Sequence, residues 1–147
     1  MRVTDRHTVH GFFNIFLQLS YTDDFRGCLF VPDIKRHKVM EVEDVAIAVG
    51  YNNFNGKLCS MHAVIQDPSF VSRPIIREIF EFPFVTCGRE HVIAPVESGN
   101  KEALDFDKRL GFKELYRFPD GAVEGDLVIL GMSKKECRWI GKGKQNG

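Results

Sequence analysis

The chain has 147 residues, with 20 lysines and arginines against 20 aspartates and glutamates, and so carries no net charge. Such a chain has no overall positive field to hold a nucleic acid or an anionic membrane surface, and we expect neither as a partner. One domain of this length can bury a sufficient core without disulfides or metal. Its four cysteines show no paired spacing of the kind found in zinc or redox sites. We therefore expect a cytoplasmic protein with reduced thiols and no metal.

An apolar run near the N-terminus, Gly11 to Leu19, is too short to span a bilayer and lacks a signal-peptide cleavage site. Its large apolar residues recur at helical spacing: Phe12, Phe13, Phe16, Leu17 and Leu19. The run predicts an amphipathic helix from about Thr4 to Ser20 that packs on a sheet.

The middle of the chain predicts strands around one helix. Three strands are predicted first: Gly27–Asp33, Glu43–Tyr51 and Lys57–Gln66, the last two joined by the turn sequence NNFNG. The segment RPIIREIF has one apolar stripe at helical spacing, with Pro74 in its first turn and Pro83 where it should kink or end. Because strand His91–Glu97 is reached through that helix, we expect it to lie parallel to the strand before it.

The last third predicts a helix from Asn100 to Leu110 closed by Gly111, then a hairpin of KELYRF and GDLVILGM around PDGAVEG. Residues 141–147 have nothing to bury and are expected to be disordered. The expected fold class is α/β (α+β), in one domain over residues 1–140. Its sheet should be mixed and mostly antiparallel, with about six or seven strands, one splayed parallel pair and helices on both faces.

The segment NKEALDFDKRLGF resembles the pattern N-x-x-A-x-x-L-Y-x-x-x-G-F of the GNAT superfamily of N-acetyltransferases, with matches at Asn100, Ala103, Gly111 and Phe112. The order of YNNFNG, SRPIIREIFEFPF, RLGF, GDLVILGM and ECRW is similar to a branch of that family found in bacteriophages and prophages. The resemblance implies acetyl-CoA as co-substrate and a primary amine, on a small molecule or a protein, as acceptor. It allows a homodimer, and for a phage-encoded protein it implies the host cytoplasm.

The resemblance also implies where acetyl-CoA binds. Its pantetheine arm would lie between two parallel strands that splay apart, close to Val64, Ile65, Asn100 and Ala103. Pro95 lies in the later strand, and a proline fits a partly unpaired strand because it cannot donate to a ladder; an ordinary edge or bulge proline fits equally well. Asn100 is also a good helix N-cap, and both roles are compatible.

The loop before RPIIREIF departs from the family's phosphate-binding sequence. The family has Q/R-x-x-G-x-G/A, whereas this chain has VSRPII at residues 71–76, without glycine. Ser72 can cap the helix and Arg73 adds a cation at its positive end, so we predict that this pair binds the pyrophosphate. The alternative is a plain N-cap followed by a solvated arginine.

His62 is the candidate general base. The alternation of its strand places His62 on one face with Ser60 and Val64. The resemblance implies that this strand faces the cofactor, near the amine acceptor, and the ordinary pKa of histidine suits proton abstraction near neutrality. Glu97, at the end of the splayed strand, is the second candidate. A structural role for His62 is the alternative.

The family's usual proton donor is a tyrosine, and Asp107 stands in its place. The charged neighbours in DFDKR do not indicate burial, so we expect an ionised carboxylate that cannot donate a proton. Tyr116 and Tyr51 are candidate catalytic substitutes, each also interpretable as an ordinary strand aromatic. The departures allow a second function, a catalytically inactive binding or virion-associated protein with the same fold.

Overall fold

The computed structural model describes residues 1–17, 19–33 and 38–141. The β-strands are β1 (Arg2–Val3), β2 (Arg26–Phe30), β3 (Ile47–Asn55), β4 (Leu58–Ile65), β5 (His91–Glu97), β6 (Lys113–Phe118) and β7 (Leu127–Ser133). The α-helices are α1 (Arg6–Phe16), α2 (Arg73–Glu81) and α3 (Lys101–Leu110). The strands form one sheet in the order β1-β2-β3-β4-β5-β7-β6. The predicted tail from residue 142 onwards lies outside the described residues.

The predicted mixed sheet with helices on both faces is confirmed. β4 and β5 are parallel, as expected for strands joined through a helix, and the other neighbouring pairs are antiparallel. On one face α1 packs through Phe13 into a cluster with Phe25. On the other face α2 and α3 pack through Phe80 and Leu104 into a second cluster. The sheet therefore separates two hydrophobic layers.

α1 is shorter than the predicted helix. Asp5 caps it by accepting a hydrogen bond from the Thr8 N–H at 2.9 Å, and the helix ends at Phe16 rather than near Ser20. Its buried residues are Val9, Phe12 and Phe13. Phe16 is 43% exposed, so its predicted place on the packed helix face is wrong. Gln18, inside the predicted helix, lies outside the described residues.

Pro83 ends α2, as predicted. The α-helix stops at Glu81 and continues as a π-helical turn over Phe82–Thr86, in which Phe84 is buried. At the other end of the helix Ser72 is the N-cap and Pro74 lies in the first turn. Both ends of α2 thus follow from the sequence.

α3 and the last hairpin also follow the prediction. Asn100 caps α3 by accepting from the Ala103 N–H at 3.2 Å, and Gly111 closes it with a φ of 116°. β6 pairs with β7 at the edge of the sheet, with a bulge at Leu115. The Leu115 side chain covers Gly131, where a Cβ would clash with the leucine Cδ1.

Candidate active site

β4 and β5 pair only over their first residues. The parallel ladder joins Leu58–Ser60 to His91–Ile93 and then stops. Beyond it, Met61–Ile65 and Ala94–Glu97 separate, while each strand keeps its other neighbour, β3 or β7. The separated strands border a cleft of about 1130 Å³. The predicted splay is therefore present, with Pro95 in the separated part of β5.

The structure brings most of the predicted site residues to this cleft. Those that line it are His62, Val64, Ile65, Glu97, Asn100 and Ala103. Ser72, Arg73 and Tyr116 are not among its lining residues. Ser72 and Arg73 lie at the start of α2, shortly after the lining residue Pro68. Phe16, Leu17 and Leu19, assigned to a packed helix face from the sequence, also line the cleft.

The two candidate tyrosines lie away from the cleft. Tyr116 is 57% exposed on the edge strand β6, where its ring packs edge-on against Phe118. Tyr51 is 3% exposed, and its hydroxyl donates to the Ile79 carbonyl oxygen at 2.5 Å. Burial raises the pKa of Tyr51 well above its usual value. The Tyr51 phenol thus joins α2 to the sheet and has its proton engaged there, which favours its interpretation as an ordinary strand aromatic.

His62 is half-buried on β4, and its imidazole is held by β3. Its Nε2 lies 2.9 Å from the side-chain oxygen of Asn52, which can only accept a hydrogen bond. Nε2 therefore carries the proton, and Nδ1 is left as the basic nitrogen. Burial lowers the pKa of His62 to about 4. The expected titration near neutrality is thus wrong, because a buried imidazole resists taking up charge.

The burial and the pKa of Asp107 both differ from the sequence prediction. It is 8% exposed, lines the cleft, and has its pKa raised to about 7 by burial. The expected ionised surface carboxylate is therefore wrong. The sequence did contain a signal, because Leu104, Asp107 and Leu110 recur at i, i+3 and i+6 on the inward face of α3.

A small cavity of about 20 Å³ lies behind Asp107, between α2, α3 and β4. Asp107 has the only ionisable side chain among its lining residues, whose other members are apolar: Ile47, Met61, Ala63, Ile65, Val71, Ile76, Ile79, Phe80, Phe106 and Leu110. Within residues 1–17, 19–33 and 38–141, no group donates a hydrogen bond to the Asp107 carboxyl. The carboxyl is thus desolvated without a partner, which favours its neutral form.

The start of α2 offers few backbone donors to an anion. The Ser72 hydroxyl accepts from the Ile75 N–H at 3.5 Å, the Ser72 carbonyl accepts from Ile76, and Pro74 has no N–H. The Arg73 side chain is exposed. An anion at this end of the helix would therefore depend mainly on the guanidinium.

The walls of the cleft are more acidic than basic. Besides Asp107 and Glu97, the charged lining residues are Glu102, Asp105, Arg109 and Glu124. Across the described ranges, no three His, Cys, Asp or Glu residues are grouped so as to hold a metal ion. Nor does any described helix have the length and apolar character needed to cross a membrane.

No family model matches the chain, and no curated protein matches its sequence. Solved structures do match. The F149A mutant of spermidine N-acetyltransferase SpeG from Vibrio cholerae superposes with a TM-score of 0.68 at 12% identity, covering 90% of this chain and 94% of that one. A dodecameric spermidine N-acetyltransferase from the same organism gives 0.65 at 13% identity, covering 92% and 94%. A probable acetyltransferase gives 0.60 at 16% identity, covering 78% and 63%.

These likenesses define the fold of the chain. Similarity over nine-tenths of both molecules, with the parallel pair splayed, identifies the GNAT acetyltransferase fold. The fold implied by the sequence resemblance is thereby confirmed. Activity is a separate question, because it depends on the residues of the site.

Proposed function

We propose that this protein is an acetyl-CoA-dependent N-acetyltransferase that acts on a primary amine. One observation supports the proposal above all others. Over Met61–Ile65, the edge of β4 that faces β5 is unpaired and borders a large cleft. The pantetheine arm of coenzyme A is slender and contains amides. It can therefore bind to an open strand edge much as a peptide does when it adds to a sheet.

The diphosphate of coenzyme A requires cations, and two arginines are the candidates to supply them. Arg73 lies at the positive end of the α2 dipole, and Arg109 lines the cleft from α3. Among the described residues, neither arginine has a salt-bridge partner. Side-chain guanidinium groups would thus supply the contacts that a glycine-rich loop supplies with backbone N–H groups.

Acetyl-CoA supplies a thioester whose carbonyl carbon is attacked by a neutral amine. His62 has Nε2 fixed by Asn52 and Nδ1 unprotonated, which supports its proposed role as acceptor of the amine proton. Because its pKa is lowered to about 4, His62 is a weak base, but it is unprotonated throughout the neutral pH range. Glu97, at the end of β5, is the second candidate acceptor of this proton.

The acidic lining supports an acceptor that carries more than one amine. Glu97, Glu102, Asp105 and Glu124 would attract an ammonium group while a second, neutral amine reacts. The SpeG structures are named as spermidine N-acetyltransferases, so a di- or polyamine is the first acceptor class to test. Phe16, Leu17 and Leu19 supply an apolar wall for its methylene chain.

Calorimetric titration with acetyl-CoA, followed by a thiol-release assay, tests the proposal. Matched acceptors are butylamine and 1,4-diaminobutane, which have the same chain length and differ in the second charge. We expect binding, thiol release, and a preference for the diamine and spermidine. Binding without acetylation of any amine or N-terminal peptide would favour the inactive, virion-associated alternative. Absence of binding would reject both functions.

Three further properties remain predictions alongside this function. The phage origin depends on the sequence resemblance, and the cytoplasmic location depends on the spacing of the cysteines as well. One structural neighbour is described as dodecameric, and we propose self-association, at least as a homodimer, for this chain as well. Light scattering on the purified protein measures the mass directly, and a monomer at all concentrations would contradict the proposal.

A further inference from the structure

We propose that Asp107 donates the proton to the sulfur of coenzyme A when the thioester breaks. This inference rests on the acetyl transfer proposed above. Among the described residues, Asp107 is the one buried Asp, Glu, Lys, Arg or His, and it lines the cleft. A desolvated carboxyl keeps its proton at a pH where surface carboxylates have lost theirs. It can therefore act as an acid in a neutral solution.

The position of Asp107 suits it for donation rather than for structure. No described residue hydrogen-bonds to its carboxyl, and the small cavity behind it is lined by apolar side chains. A buried carboxyl without a partner costs stability and is rarely kept for packing. Its open side is the cleft, where a reacting group can approach.

His62 and Asp107 approach the cleft from opposite sides of β4. Alternation along β4 places His62 on the same face as Val64, which packs against the cluster under α1. Asp107 lies on the side of the other face, because it lines the same small cavity as Met61, Ala63 and Ile65. An acceptor of the amine proton and a donor to the sulfur thus line the same cleft, in which the thioester would bind.

The charges around Asp107 do not force it to ionise. The elements packed against it, β3, β4 and α2, contribute only apolar side chains to the small cavity. Across the cleft stand the neutral His62 and the acidic Glu97 and Glu124, and its own helix contributes Glu102, Asp105 and Arg109. Burial raises the pKa of Asp107 to about 7.

The step balances without any other reactant. The amine nitrogen forms a bond to the carbonyl carbon and loses one proton to His62 or water. The carbon–sulfur bond breaks, and its electron pair goes to sulfur, which takes the proton from Asp107 to form the thiol. Solvent then restores the proton to the carboxylate before the next turnover.

The test is Asp107→Asn, which keeps the shape of the side chain and removes the acid. We expect kcat to fall about 100-fold or more, with little change in acetyl-CoA affinity. In the wild type the rate should fall as pH rises through about 7, because the donor is then ionised. The variant should lose this pH dependence. Asp120→Asn, in the exposed β6–β7 turn, is the matched control and should behave as wild type.

Carbon-13 NMR of the aspartate carboxyls gives a readout that does not depend on turnover. We expect one carboxyl to titrate near pH 7 in the wild type and to be absent from Asp107→Asn. Titration of that carboxyl near pH 4, or persistence of the falling rate in Asp107→Asn, would overturn the inference. A wild type that binds acetyl-CoA but transfers no acetyl group would reject the proposed function itself, before any variant is made.

Discussion

The Nε2 atom of His62 lies 2.9 Å from the side-chain oxygen of Asn52, one strand away on β3. Asn52 is buried, so its amide is held in place and in turn fixes the imidazole. The pair directs the basic Nδ1 away from β3. An orienting contact of this kind is what a general base needs in order to meet a substrate reproducibly.

His62→Ala should lower the rate of acetyl transfer by about 100-fold or more while acetyl-CoA affinity stays nearly unchanged, because a base acts in the transition state. Since the pKa of His62 is about 4, its contribution to the rate should rise through pH 4 and stay level around neutrality. Initial rates from pH 4 to pH 8 measure this. His91→Ala, exposed on β5, is the control. Equal rates in His62→Ala and wild type would move the role to Glu97 or water.

Arg73→Ala should weaken acetyl-CoA binding by roughly 1.5 to 3 kcal/mol, the size of a hydrogen bond to a charged group. Arg77→Ala is the matched control, because Arg77 is exposed one turn further along α2. Calorimetry on both variants separates a specific contact from a general loss of positive charge. Similar losses in the two would mean that Arg73 acts only through long-range attraction.

Ala63→Phe should abolish acetyl-CoA binding without unfolding the protein. Ala63 is exposed on the separated part of β4 and lines both the cleft and the small cavity, so a phenyl ring there would occupy the space proposed for the pantetheine arm. Val85→Phe adds the same ring at an exposed position after α2 and should leave binding intact. Tight binding by Ala63→Phe would place the co-substrate elsewhere.

Asp107→Asn should also stabilise the protein at alkaline pH. The pKa of Asp107 is raised from 3.8 to about 7 on folding, so its favourable contribution is complete below pH 3.8 and is lost as pH rises through about 7. Relative to wild type, the variant should gain up to roughly 4 kcal/mol of unfolding free energy between pH 4 and pH 8. Urea unfolding of both proteins at the two pH values measures the gain. His62, whose pKa is lowered, affects both proteins equally.

The fold could be predicted from the sequence because the local apolar patterns agree with the rule that strands joined through a helix lie parallel. Alternating apolar residues marked the strands, and the helix between β4 and β5 required a parallel pair. The end of α1 was missed because Leu17 and Leu19 continue its apolar run after the chain has become extended. An apolar run shows that residues are removed from water, but it does not distinguish a core from the wall of a cleft.

The sequence predicted the candidate site only in part. The lining residues His62, Glu97 and Asn100 followed from the resemblance and from strand ends. The protonation states of His62 and Asp107 did not, because both depend on desolvation by segments far away in the sequence. For Asp107, the charged neighbours in the sequence indicated an exposed side chain. In the structure, the packing of α3 against the sheet turns that side chain inward.

The edges of the sheet suggest how the protein avoids unwanted association. At one edge β1 has only two residues, and at the other β6 carries the bulge at Leu115 and the charged Lys113, Glu114 and Arg117. Short strands, bulges and charges discourage edge-to-edge aggregation with other chains. Within the described chain, the facing edges of β4 over Met61–Ile65 and of β5 over Ala94–Glu97 are not paired with each other, and both lie inside the sheet rather than at its margin. An extended chain is thereby discouraged from pairing with the outer edges of the sheet, where repeated pairing would form fibres. The gap between β4 and β5 can pair only with a narrow molecule.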